Sequence, residues 1–128
     1  MRRYAVCRAA SVARDVSIIR KHLVQAYQDF GDQRAAATER AAARIREAFD
    51  YLQTLATHPH RGTVHPELRG GIRHVTDKNF VYYFEIDERL AQVTVLAIFF
   101  GGQDHRRQIA ERLVDVPAAQ RAANRSPD

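Results

Sequence analysis

Apolar residues at Val12, Val16, Ile19, Leu23, Ala26 and Phe30 recur at steps of 4-3-4-3-4. On a helix of about 3.6 residues per turn they draw one buried stripe, with Arg20, Lys21 and Gln28 lying off it. Ser11 offers a side-chain oxygen to cap this helix, and Gly31 can take the left-handed conformation that ends it. Asp32 is placed to cap a second helix with the stripe Ala41, Ile45, Ala48, Leu52 and Leu55, and Pro59 is expected to stop it. A Gly31-Asp32 turn makes the two helices antiparallel, and the runs Ala35-Ala36-Ala37 and Ala41-Ala42-Ala43 let them approach closely.

The periodicity then changes. Residues 57–71 hold Pro59, Gly62, Pro66, Gly70 and Gly71 and read as a loop. Beyond them, β-branched and aromatic runs predict strands over residues 72–75, 80–86 and 93–100. The links Thr76-Asp77-Lys78-Asn79 and Asp87-Glu88-Arg89-Leu90 are short and polar, so the three strands form a meander of antiparallel hairpins. Phe80-Val81-Tyr82-Tyr83-Phe84 is apolar on both faces, which marks a central strand covered on one side by the helical hairpin and on the other by a further element. Residues 104–114 predict a last helix with Ile109 and Leu113 on one face, and residues 3–8 a first strand. The expected fold class is α+β: a helical hairpin packed on a small antiparallel sheet in one domain, residues 1–116. Residues 117–128 carry no bulky apolar anchor and are expected to form a flexible tail.

A chain of 128 residues with 45% hydrophobic content can build one core. Cys7 is the single cysteine, so no intrachain disulfide forms, which fits a reducing cytoplasm. No window approaches the roughly 20 apolar residues of a membrane helix, so no membrane role is expected. The excess of 20 basic over 15 acidic residues suits an acidic partner, and residues 1–57 hold 10 of the basic and 6 of the acidic groups. Lys21 and Lys78 are the only lysines; the other cations are arginines, whose planar fork matches carboxylate and phosphate.

His58, His60 and His65 surround Pro59 and Pro66 in one loop, at a spacing that matches no usual zinc pattern. They read as an exposed loop, with no metal and no cofactor expected. Arg40, Arg44 and Arg46 alternate with Glu39, Glu47 and Asp50 as a solvated helix face. Asp104 precedes the last helix and is suited to cap it. His105 can exchange protons, but the sequence places no second proton-handling group beside it. Phe99-Phe100 reads as core rather than as a stacking platform.

The order β-α-α-β-β-β-α resembles the RelE/ParE toxin superfamily over residues 3–113. The residues that carry the resemblance are Leu68-Arg69-Gly70-Gly71-Ile72-Arg73, the strand Phe80-Val81-Tyr82-Tyr83-Phe84, and the run from Val93 through Phe99-Phe100-Gly101-Gly102-Gln103-Asp104-His105-Arg106. The resemblance implies the toxin half of a type II toxin–antitoxin pair, neutralised by a cognate antitoxin whose extended segment wraps it. RelE-like members cut messenger RNA on the ribosome; ParE-like members, the plasmid stabilisation family, are described as poisons of DNA gyrase. Cutting RNA needs a proton acceptor, a cation for the phosphate and a proton donor, for which Arg73, His74 and His105 are the candidates. Phe99-Phe100 stands where an RNA-cleaving member carries proton-handling side chains, so the ParE-like branch is favoured. Ribosome-dependent RNA cleavage and a catalytically inactive antitoxin-binding module remain as alternatives. Arg69, Arg73, Tyr82, Tyr83, Asp104 and Arg106 are the candidates for holding antitoxin or target, with one of the two tyrosines in the core because strand side chains alternate.

Overall fold

The computed structural model describes residues 2–102 and 104–115. Strand β1 is Ala5–Arg8, helix α1 Val12–Asp29, helix α2 Arg34–Gln53, strand β2 Thr63–Val64, strand β3 Arg73–Asp77, strand β4 Phe80–Asp87, strand β5 Gln92–Phe100 and helix α3 His105–Asp115. The expected tail, 117–128, lies outside the described residues.

The helical hairpin forms as its stripes predict, with Val12, Val16, Ile19 and Leu23 of α1 facing Ala37, Ala41, Ile45, Ala48 and Leu52 of α2. Its turn is a Schellman-type closure: Gly31 N–H donates to Gln28 O at 2.9 Å and Asp32 N–H to Tyr27 O at 3.0 Å, with Gly31 at φ 109°. The chain leaves the helix at Phe30, so that ring points outward, 90% exposed, and does not extend the stripe. Both expected side-chain caps fail. Ser11 is itself in the helical region and its hydroxyl reaches toward Leu96 O at 3.5 Å; Asp32 Oδ2 instead accepts from Arg40 at 2.7 Å. Nor does Pro59 end α2, which tightens into a 3-10 turn at Thr54–Ala56 several residues earlier, where Thr54 Oγ1 donates to Tyr51 O at 2.6 Å. The charged face of α2 is solvated as expected at Glu39, Arg40, Arg46, Glu47 and Asp50, while Arg44 is half-buried and donates to Lys78 O at 3.0 Å.

The sheet has the order β1-β5-β4-β3-β2 and is mixed rather than wholly antiparallel. The meander β3-β4-β5 is antiparallel as predicted, but β1 pairs parallel with β5, Val6 opposite Val93. The long excursion through α1 and α2 returns the chain on the other side of the sheet, the type of connection a parallel pair needs. β2 was hidden in the segment read as loop; two residues are too few to raise a period-2 signal. The β3-β4 link tightens to Lys78-Asn79, both at positive φ (50° and 70°), the geometry of a two-residue hairpin turn.

β4 is buried on both faces, with Phe80, Val81, Tyr82, Tyr83 and Phe84 each at most 4% exposed. Phe80, Tyr82 and Phe84 meet the helical hairpin, while Val81 and Tyr83 join Ile72, Leu96, Ala97 and Phe99 beneath Ile109 and Leu113 of α3. The further element that the apolar strand called for is therefore α3. A half-buried ion pair ties it down. Asp15 of α1, 6% exposed, accepts from both terminal nitrogens of Arg112 at 2.9 and 2.8 Å. Asp15 also accepts Ile98 N–H at 3.0 Å, and Arg112 donates to Leu96 O at 3.2 Å, so the pair closes the edge of β5 where β1 runs out. No helix among the described residues is long and apolar enough to cross a membrane.

Removing one member of such a pair strands the other charge and a strand amide. Asp15→Ala is expected to lower unfolding free energy in urea titrations by about 3 kcal/mol or more, whereas a loss near 0.5 kcal/mol, typical of a surface pair, would show that this tether does not hold α3.

A histidine cluster as candidate functional site

Strand alternation separates the residues singled out from sequence. Val75 and Tyr82 belong to the hairpin-side core, so Arg73 shares that face, while His74 and its register partner Tyr83 face the side covered by α3. Arg73 and His74 therefore do not share a site. Tyr82 is fully buried, stacked on Tyr51 at 5.3 Å, and presents no surface to a partner. Among the described residues its hydroxyl is the buried side-chain oxygen with no hydrogen-bond partner, and burial pushes its ionisation strongly up. Both tyrosines are core, one on each face, where one had been expected.

On the α3 side four rings gather. His65 Nε2 lies 2.6 Å from His74 Nδ1, and Tyr83 Oη 2.7 Å from His105 Nδ1. The His74 ring centre is 4.8 Å from His65, 5.2 Å from Tyr83 and 5.4 Å from His105. Glu67 Oε2 closes the chain at 3.2 Å from His65 Nδ1. His65 is 4% exposed, so the expected exposed loop holds for His58 and His60 but not for it. A glycine makes the approach possible. Gly62 sits at φ 83°, and a Cβ there would meet His74 O at 2.2 Å, so β2 and His65 can lie against β3 only with glycine at this position. His65 N–H then donates to Ile72 O at 2.8 Å, fixing the turn.

Proton chemistry follows from this packing. Burial, reinforced by His65, His105 and Arg106, lowers the His74 pKa to about 4, so this ring is neutral near pH 7. Burial also lowers His105, with Arg106 adding to the effect and Asp104 opposing it. Burial raises the Tyr83 phenol, which stays protonated and can donate to His105 Nδ1. Glu67 is held low, first by a hydrogen bond from its own backbone amide and then by His65. The neutral His74 ring can donate Nδ1–H to His65 Nε2, whose Nδ1 faces Glu67 Oε2. That leaves His74 Nε2 bare and His105 Nε2 carrying a proton.

The remaining candidates frame the cluster. Arg69 donates to Leu113 O at 2.7 Å and so binds the end of α3. Asp104 accepts from Arg107 N–H at 3.5 Å and from Arg107 Nε at 3.1 Å, the capping role expected for it. Arg106 is exposed beside the rings. His105 does have a proton-handling neighbour, Tyr83, which lies 22 positions away and which no local pattern pairs with it. Phe99 is buried, as expected, and Phe100 packs on Phe80 at 4.9 Å. Among the described residues no group of three or more histidine, cysteine or acidic side chains is arranged to hold a metal ion.

The two neighbouring tyrosines make opposite predictions. Tyr83→Phe removes a hydrogen bond and should cost about 1 kcal/mol, whereas Tyr82→Phe removes an unpartnered hydroxyl and should be neutral or stabilising. Thermal melts of both variants check this; equal losses would contradict the assignment of the two faces.

No family model and no curated protein sequence matches the chain. Its fold is similar to that of a chain in the chromosomal ParDE TA system from P. aeruginosa, with a TM-score of 0.58 and 18% identity over 77% of this chain and 96% of that one. A chain of the toxin-antitoxin complex RelBE2 from Mycobacterium tuberculosis aligns with a TM-score of 0.47 and 14% identity, over 77% of this chain and 98% of that one. With its helical hairpin, mixed five-stranded sheet and covering third helix, the chain has the RelE/ParE-like α+β fold.

Proposed function

We propose that the protein is the toxin of a toxin–antitoxin pair, a growth inhibitor neutralised by a cognate antitoxin, and that it acts in the cytoplasm by poisoning DNA gyrase rather than by cutting RNA. The observation that carries the choice of target is the closure of the α3-side face. Ile109 and Leu113 are buried against the sheet, Arg112 is locked to Asp15, and Tyr83 and His65 are turned inward beneath α3. A site for an RNA strand needs a cationic, accessible groove, and here Arg69 is engaged with the end of α3 while Arg73 lies on the opposite face. A base held near pKa 4 is also weakly matched to proton abstraction near pH 7. The ParDE likeness in fold is consistent with this reading.

A second reading, ribosome-dependent cleavage of messenger RNA, is favoured by one observation: half-buried His74 and His105 stand beside exposed Arg106. In that reading His74 Nε2 takes the proton of the ribose 2′-hydroxyl, Arg106 holds the phosphate, and His105, once protonated on both nitrogens, gives one proton to the leaving oxygen and returns to the neutral ring. Induction in a bacterial host separates the two. The gyrase reading expects DNA damage, gyrase–DNA cleavage complexes with purified protein, intact messages and undiminished toxicity of the double variant His74→Gln, His105→Gln. Message cleavage that falls about 100-fold or more in that variant, without gyrase-linked breaks, overturns it. Co-expression of the neighbouring open reading frame should restore growth.

A further inference from the structure

We propose that His74 and His105, packed against His65 and Tyr83, form a proton-sensitive seat for the first turn of α3, holding it while these two rings are neutral and releasing it when they take up protons. The geometry carries the case. Three imidazoles and one phenol pack as tilted rings with centres 4.8 to 5.7 Å apart, His65 and Tyr83 buried and His74 and His105 half-buried. Tyr83 and His74 both meet His105 at the start of α3, beside Ile109 in the apolar layer.

The charges that face the cluster come from every element around it. The segment after β2 supplies Glu67, the 3-10 turn Arg69–Gly71 supplies Arg69, and β4 supplies Glu85, whose carboxylate lies beside Gly70. α3 supplies Asp104, Arg106 and His105 itself; β3 supplies His74, and β5 contributes the apolar Leu96, Ala97 and Phe99. Glu67 touches His65, at the far end of the chain of rings from α3. A proton added on His74 or His105 therefore meets Arg106 and the other imidazoles before it meets that carboxylate. The His65–His74 bond also needs one of its two ring nitrogens to carry no proton.

The direction follows from linkage. Groups whose folded pKa lies below the unfolded value bind fewer protons in the folded state, so their contribution is complete above the unfolded value of 6.5 and declines as pH falls toward about 4. The far end of α3 is held separately, by the Arg112–Asp15 pair and by Arg69 on Leu113 O, neither of which involves an imidazole. Release is thus confined to the start of α3 and the β2–β3 region while the helical hairpin stays packed. This device is independent of whether gyrase or RNA is the target.

Amide hydrogen exchange on the full chain tests it, compared at pH 7.5 and pH 5 after correction for intrinsic exchange. Protection in the first turns of α3 and in β3 is expected to fall about tenfold or more, with α1 and α2 unchanged. In His74→Gln, which cannot titrate, the fall should shrink severalfold. Uniform loss across all elements, no loss in α3, or an undiminished loss in His74→Gln overturns the proposal. Should that variant fail to fold, titration of the ring protons in the unaltered protein decides. His74 and His105 both titrating below 6.5, in step with the loss of α3 protection, support the seat; titration at 6.5 or above, or out of step, overturns it.

Discussion

The burial of β4 on both faces is the constraint from which the rest of the molecule follows. An antiparallel strand can leave one face to water, but Phe80-Val81-Tyr82-Tyr83-Phe84 offers no polar face at all. The sheet must be covered twice. The helical hairpin covers the Phe80, Tyr82 and Phe84 side, and a single helix, α3, covers the Val81 and Tyr83 side. α3 is only 11 residues long and presents chiefly Ile109 and Leu113, too small a surface to stay in place by apolar burial alone. Polar attachments make up the difference: Arg112 to Asp15 at one end, Arg69 to Leu113 O beside it, and the Tyr83–His105 contact at the other.

Double coverage also sets what the polar residues can do. Alternation along β3 and β4 sends Arg73 and Tyr82 to the hairpin side and His74 and Tyr83 to the α3 side, dividing a set that looked continuous in sequence. On the α3 side, imidazoles that would be solvated at an open sheet become an inward-facing cluster with lowered proton affinity. The proposed choice of target and the proposed proton-sensitive seat both rest on this packing, and so on one strand buried on both faces.

Long periodic signals were legible from the sequence. The two helical stripes, the meander and the doubly apolar strand predict the architecture because each repeats over several turns or several alternating positions. What escaped notice depends on short or distant relations. β2 has two residues and no period; β1 pairs parallel with β5 across more than 80 positions, which local pattern cannot register. Asp15 and Arg112 stand 97 positions apart, and only the fold brings them to 2.8 Å. Within the candidate site, Asp104 could be read because capping is local, and His105 was visible as a residue type. Its partner Tyr83 lies 22 positions away, and His65 was masked by a loop rich in prolines and glycines whose one informative residue, Gly62, is explained by a neighbouring strand.

The account turns on His74 being an inward, neutral ring that donates through Nδ1 to His65. A long-range proton–nitrogen NMR spectrum of the histidine rings, recorded from pH 8 down to pH 5, reads this directly. The expected result is a His74 ring that remains neutral across most of the range, with its proton on Nδ1 and its titration shifted toward about 4. A His74 ring that titrates near 6.5 with fast-exchanging protons on both nitrogens, like a solvated imidazole, would contradict the closed face and the readings built on it.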